Sequence, residues 1–419
     1  MHGLAWSLAG LALVAGCKDT PAPGCRIAQS TSLPASALTL TPDVTLQRAG
    51  AGLALVGVVG DELRWAPLSA DGVLGTESKL TLPQRQARPG VVYATVAKSA
   101  PGDQLIVAYV APKAGVANQQ QLVALTQMAG GAVSAPVVLA DLPVGVDPNI
   151  VRLAMGPSQT GQRALLTWAF EGQDAPPSFL ILAADAVAMG MPAAAINERI
   201  SSGTCLSIVS SRTDFAISIT QNTPGFAVTW RAIELRDDGS HGSNVSMTLG
   251  HSVVGCIDSA PTPRGYVLAF QNNDGTFIAD FNIGTGGLYE DIIAGVLEFG
   301  GAARQPLVGC ISPMGSEYSV LFERSTGPEV WRVDAFGNPQ GGSLFLPASA
   351  GRVGPLSALP GKEAFVATYL DQGGTGSGAS TNGNSPGNTR YVVRVDCPAA
   401  APLFVPDAGL DAGMGEAGK

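Results

Sequence analysis

Residues 205–226, CLSIVSSRTDFAISITQNTPGF, lie without gaps on residues 256–277, CIDSAPTPRGYVLAFQNNDGTF, at an offset of 51. A chain that repeats itself at such a spacing folds as an array of like units, each too small to bury its own apolar faces alone. In this alignment Cys205 falls on Cys256, Phe215 on Tyr266, Asn222 on Asn273 and Phe226 on Phe277. After removal of two residues a third copy follows, opened by Cys310-Ile311-Ser312, with Tyr318–Phe322 on Tyr266–Phe270. The same frame marks a β-type run ending in a bulky residue at Tyr109, Trp168, Ile219, Phe270, Phe322 and Tyr369, separated by 59, 51, 51, 52 and 47 residues. One further step back reaches Leu53–Val58 and makes seven units.

Each unit reads as four strands, in the second unit Val91–Ala97, Gln104–Val110, Gln121–Met128 and Ala132–Ala140. The third-to-fourth connection carries Gly72, Gly131, Gly239, Gly287 and Gly342, where a tight turn needs positive φ. Four strands repeated at about 50 residues is the spacing of propeller blades, so the expected fold is all-β, a seven-bladed β-propeller over residues 36–397. The last unit offers Val353–Leu359, Ala364–Tyr369 and Arg390–Asp396 but no fourth strand. Ser36–Pro42 resembles the fourth strand Glu77–Pro83 and is expected to complete that blade and close the ring. A pair of β-sandwich domains is the alternative.

Leu4–Gly16 is an apolar stretch too short to span a bilayer, and it ends in small residues before a cysteine, as a cleavable leader over residues 1–16 does. The run Leu13-Val14-Ala15-Gly16-Cys17 resembles a bacterial lipobox, although Met1-His2-Gly3 departs from that pattern in carrying no Lys or Arg. The resemblance implies acylation of Cys17, and Lys18 after it implies sorting to the outer membrane. Residues 17–35 then read as a tether, Gln372–Asn388 as a mobile insertion and residues 398–419 as a disordered tail. Nearly the whole chain resembles the exported β-propeller lipoproteins of bacteria. Ser69-Ala70-Asp71-Gly72 matches only the start of a sialidase-type Asp-box.

Export permits disulfides. Cys25 lies just before the expected closing strand and Cys397 just after the last one, which makes them candidate partners. Cys205, Cys256 and Cys310 fall at one place in three successive units; two of them could pair, or all three could line the channel as thiolates, but no His accompanies them and repeat inheritance explains the spacing. No metal or cofactor is therefore expected.

Composition narrows function by exclusion. A net charge of −9 argues against nucleic acid as a partner, and a hydrophobic content of 46% argues against a disordered chain. His241, in a Gly-Ser turn, and His251, at a blade entrance, have no partner motif such as Gly-x-Ser-x-Gly, and Asn272-Asn273-Asp274-Gly275 reads as a hairpin turn. Arg48, Arg88, Arg152, Arg199, Arg304 and Arg352, with His251, fall in the connections that lead into the innermost strands. On a propeller these share one channel mouth and form a basic ring suited to an anionic glycan or an envelope protein. The competing explanation is that each Arg bridges blades through carbonyls or acids such as Asp141 and Asp147. The sequence thus points to a lipid-anchored binding or scaffolding protein of the cell envelope, with a propeller-fold glycan hydrolase or lyase, or a plain spacer, as alternatives.

Overall fold

The computed structural model describes residues 24–397 except 42–43, 50–51, 60–61, 70, 84–90, 97–102, 172–174, 197–203, 210–212, 222–227, 250–252, 254–255, 264, 273–274, 283–286, 295–306, 311–316, 325–326, 335–339, 341–342, 347–350, 359–363 and 372–388. The expected leader with Cys17, the expected insertion over Gln372–Asn388 and the expected tail from residue 398 fall outside the described residues.

A single N-terminal strand, β1 (Arg26–Ser32), precedes six sets of four. The first set is β2 (Val44–Ala49), β3 (Gly52–Val59), β4 (Glu62–Leu68) and β5 (Ser78–Thr81), and the second β6 (Val91–Val96), β7 (Gln104–Pro112), β8 (Gln120–Met128) and β9 (Val137–Asp141). A 3-10 turn, Pro148–Ile150, leads into β10 (Val151–Pro157), β11 (Ala164–Phe170), β12 (Ser178–Leu182) and β13 (Ala193–Ala194). Then come β14 (Thr204–Val209), β15 (Phe215–Gln221), β16 (Val228–Leu235) and β17 (His241–Leu249), and β18 (Asp258–Pro261), β19 (Gly265–Asn272), β20 (Gly275–Asn282) and β21 (Gly287–Ala294). The sixth set is β22 (Leu307–Cys310), β23 (Glu317–Arg324), β24 (Gly327–Asp334) and β25 (Leu344–Phe345). Three strands end the described chain: β26 (Gly351–Ala358), β27 (Ala364–Asp371) and β28 (Thr389–Asp396).

Each set forms its own antiparallel sheet, and β1 pairs with β28 to give the last three strands a fourth, in the order β1-β28-β27-β26. The result is an all-β body of four-stranded blades in a propeller arrangement. First strands touch in circular order, β2 to β6, β10, β14, β18, β22 and β26, and β26 touches β2. Apolar clusters lie between neighbouring sheets rather than within one. Trp65 and Leu63 of β4 pack on Leu105, Val107 and Tyr109 of β7, and Leu53, Leu55 and Leu68 of the first set pack on Ala364, Val366 and Val392 of the last. A second strand such as Ala164–Phe170 is buried at every residue because it has a neighbouring sheet on both faces.

Polar ties cross the same interfaces. Trp65 Nε1 donates to Gln127 Oε1 at 3.0 Å, the Tyr266 hydroxyl to Glu234 Oε1 at 2.7 Å, and the Tyr318 hydroxyl to the Pro261 carbonyl at 2.6 Å. The predicted bulky positions Tyr109, Ile219, Phe270 and Tyr369 are at most 1% exposed, which makes them the spacers between blades.

Three expectations are corrected. The strand that completes the last blade is Arg26–Ser32, whereas Ser36–Thr41 folds into turns. There Ser36 Oγ accepts from the Thr39 amide at 3.2 Å, Thr39 Oγ1 accepts from the Ser36 amide at 2.8 Å, and these local bonds outcompete a ladder. The buried Arg390 guanidinium holds this turn by donating to the Thr39 and Thr41 carbonyls at 2.9 and 2.7 Å. The fourth strand of the second blade is shorter than Ala132–Ala140 and begins at Val137. Among the turn glycines, Gly72 and Gly239 have φ of +75° and +83°, but positive φ falls on Gly130 beside Gly131, Gly287 opens β21, and Gly342 is outside the described residues.

First strands approach so closely that side chains are rationed. A Cβ on Gly156 of β10 would stand 2.7 Å from Ile208 Cγ2 and 2.9 Å from Ile208 Cβ on β14. Neither atom is the free end of a flexible chain, so the strands themselves must part. Gly156→Ala should destabilise the protein by about 1–3 kcal/mol in urea unfolding, and Ile208→Ala in the same chain should recover part of that loss.

Candidate functional site at the start of the first strands

First and third strands run one way along the blades, second and fourth strands the other. One end of the propeller, the entrance end, therefore collects the starts of the first strands and the second-to-third loops. The opposite, exit end collects the first-to-second loops and the third-to-fourth hairpins.

Register defines one equivalent position at the entrance end. Leu153 pairs with Trp168 and Arg152 with Ala169; Leu206 pairs with Ile219 and Cys205 with Thr220; Val353 pairs with Tyr369 and Arg352 with Leu370. In each case the first-strand residue sits one step beyond the bulky second-strand position. Continuing the ladder from Asp258–Ala269 sets Cys256 at the same place. Arg152, Cys205, Cys256 and Arg352 are thus like-placed members of one layer.

Two of them are joined. Cys205 and Cys256 form a disulfide with Cα atoms 5.5 Å apart, a separation adjacent first strands supply directly. Beside it the Ile257 amide donates to Thr220 Oγ1 at 3.1 Å. The second disulfide is Cys25–Cys397, with Cα atoms 4.2 Å apart and a sequence separation of 372. Cys310 does not share the layer of the other two: it ends β22 opposite Tyr318, the counterpart of Tyr266, and so lies at the exit end of its strand. The removal of two residues that aligned the third copy on its second strand shifted its first strand out of register. Three thiolates at one level are accordingly ruled out by position as well as by the bond. Among the described residues no group of three or more His, Cys, Asp or Glu side chains is placed to hold a metal ion.

The basic set divides in the same way. Arg152 is held by the Glu171 carboxylate, which it contacts through Nη2, and its Nη1 donates to the Asn149 carbonyl at 2.9 Å. Both partners belong to the blade of Arg152 itself, one just after β11 and one in the turn before β10, so this arginine does not bridge blades, and its acid is Glu171 rather than Asp141 or Asp147. Asp141 instead pairs with Lys113 at 2.5 Å, and Asp147 caps the 3-10 turn by accepting from the Asn149 amide at 2.9 Å. Arg352 occupies the layer by its backbone position. Arg48 leaves the ring: it pairs with Leu53 near the end of β2, at the exit end of that strand. Sequence frame alone placed it at a connection because the unit has no aromatic to fix its phase. Arg88, Arg199, His251 and Arg304 lie outside the described residues. His241 opens β17 and meets Phe179 of the preceding blade edge-on, with ring centroids 5.8 Å apart.

Sequence reasoning missed Glu171 and the Thr45–Tyr93 tie, in which Thr45 Oγ1 donates to the Tyr93 hydroxyl at 3.0 Å between β2 and β6. Glu171 was findable as the residue just after Trp168-Ala169-Phe170, across the ladder from Arg152. At the exit end, burial pushes the Asp103 carboxyl up; at Asp237 burial and then nearby Asp214 do the same, opposed by Arg163. Asp238 is held down by the Ser240 hydroxyl and amide.

The chain matches no protein-family model, and no curated protein matches it significantly. Among solved structures it is similar to a protein of unknown function from Dyadobacter fermentans, at 10% identity and a TM-score of 0.45 over 90% of this chain and 100% of that one. It is similar to a protein from Lactobacillus plantarum at 13% identity and a TM-score of 0.45, over 77% and 92% of the two chains. A chain from a structural and mechanistic analysis of two prolyl endopeptidases shows 14% identity and a TM-score of 0.41, over 78% of this chain and 46% of that one.

Two measurements follow. In the chain-entropy treatment the Cys25–Cys397 and Cys205–Cys256 loops are worth about 6 and about 4 kcal/mol, so paired Ser substitutions at the first should lower the unfolding free energy more than at the second. Asp103, whose folded pKa is raised, binds protons more tightly folded than unfolded, so its contribution to stability falls as pH rises from the unfolded value through the folded one. Asp103→Asn should therefore be more stable than wild type at pH 7 in thermal melts, with the difference shrinking as pH falls through that window.

Proposed function

We propose that this protein is a lipid-anchored binding component of the bacterial cell envelope, a seven-bladed propeller acylated at Cys17 that takes an anionic glycan or an acidic protein face at its entrance end. The observation that carries this reading is the shared layer: Arg152 and Arg352 occupy one register position at one end of the first strands. In the sequence, Arg88, Arg199, His251 and Arg304 precede β6, β14, β18 and β22, the strands that begin at that same end. Guanidinium groups so arrayed favour carboxylate, sulfate or phosphate groups through paired N–H donors. The pairing of Arg152 with Glu171 makes Arg352 and Arg304 the better probes.

Arg304→Glu with Arg352→Glu should weaken binding to acidic polysaccharides on a glycan array at least tenfold at low salt, with little effect on the melting temperature. Unchanged binding would remove the entrance end as the site. The hydrolase or lyase reading predicts release of new reducing ends from the bound polysaccharide, and their appearance would replace the binding reading with a catalytic one.

A further inference from the structure

We infer that the exit end is the face this protein turns toward a lipid bilayer, so that the entrance end, with its arginines and its Cys205–Cys256 disulfide, points away from it. The inference rests on the acylation of Cys17 proposed above and adds a direction to it.

The direction comes from where the chain enters the propeller. β28 is a third strand, so it runs from the entrance end to the exit end and finishes there at Asp396. β1 lies antiparallel to it, with Arg26 opposite Asp396, so the described chain enters at the exit end. The Cys25–Cys397 disulfide fixes that point even where an edge strand would fray. At Gly24, just outside it, a side chain would meet no atom of the described residues within 4 Å, so the described body leaves the path away from it open.

Seven residues lie between Cys17 and Cys25, eight steps from Cα to Cα. Fully extended they reach about 26–29 Å, and as a flexible chain about 14–17 Å. β1 alone, at seven residues, runs about 23 Å from the exit end toward the entrance end. To lay the entrance end on the bilayer, the tether would have to run almost straight along the blade and spend nearly all its reach. Laying the exit end on the bilayer asks nothing of it. The described hairpins and loops at the exit end carry Asp71, Asp103, Asp185, Asp214, Asp237 and Asp238. Arg26, Arg48, Arg163 and Arg236 lie at the same end and Arg394 pairs with Asp71, so this face is of mixed charge and is held near the bilayer by the tether rather than by adsorption.

The test uses the full lipidated protein in phosphatidylcholine vesicles containing a headgroup energy acceptor. A fluorophore is placed, in a Cys310→Ser background, on Asp185→Cys or Gln162→Cys at the exit end, or on Ala114→Cys or Ala117→Cys at the entrance end. All four positions are exposed and belong to the second and third blades, so they differ mainly in height. Energy transfer to the bilayer should be at least twofold greater from Asp185 and Gln162 than from Ala114 and Ala117. Equal transfer from both ends, or greater transfer from the entrance end, overturns the inference. Replacing residues 1–17 with a hexahistidine tag on nickel-chelating lipid repeats the measurement without native acylation. A result that fails there defeats the orientation, whereas lipidated protein that does not partition while tagged protein shows the gradient defeats only the acylation. With Cys25→Ser and Cys397→Ser, β1 can peel off as extra tether, and the difference between the ends should shrink.

Discussion

No sheet in this protein can bury both of its faces by itself. Each four-stranded unit is narrow, and its second strand, such as Ala164–Phe170, is apolar toward both sides. The contact between neighbouring sheets is therefore the interaction on which the fold depends, and burying several hundred square ångströms of such surface per interface contributes on the order of 10 kcal/mol before chain entropy is set against it. Everything else in the architecture keeps these interfaces uninterrupted around the circle. Because the last three strands and β1 make one sheet, the Leu53–Leu68 side of the first blade meets Ala364, Val366 and Val392 instead of water.

That arrangement concentrates demands at the middle and at the seam. In the middle, first strands come close enough that Gly156 has no room for a methyl group and that Cys205 and Cys256 can bond. At the seam, the hairpin after β4 reaches the last blade. Gln29 donates to the Asp71 carbonyl at 2.5 Å, and Arg394 pairs with Asp71 at 3.3 Å. Arg390, buried with its donors on carbonyls of the following turn, locks the connection that carries the chain from β1 to β2. A buried guanidinium is tolerable only where its hydrogen bonds are supplied, and here the Thr39 and Thr41 carbonyls and the Thr368 hydroxyl accept them.

The repeat, the four strands per unit and the cysteine pair at the chain's two ends were legible in the sequence because each leaves a local mark: a period, a turn residue, a bulky inter-blade spacer. Features at blade edges were less legible. Arg26–Ser32 alternates between exposed and half-buried residues and carries no apolar run, since an outermost strand has only one neighbour to pack against. Ser36–Thr41 is more strand-like in sequence, with Leu38 and Leu40 spaced by two, yet Leu38 and Thr39 are buried in a turn closed by the Ser36 and Thr39 hydroxyls. Likewise the cysteines near the repeat's start read as one triplet, whereas pairing on the second strand splits Cys310 from the others.

The sequence by itself determined the class of fold and the number of strands per unit, because periodicity and turn chemistry act over a few residues and need no partner to be read. Only the tertiary structure decided which residues share a level: that Arg152 and Arg352 stand in line with the Cys205–Cys256 disulfide, that Arg48 does not, and that the chain enters at the end opposite them. Such relations rest on ladder register between strands and on packing between sheets, and a one-residue shift in either moves a side chain to another face without altering the local pattern.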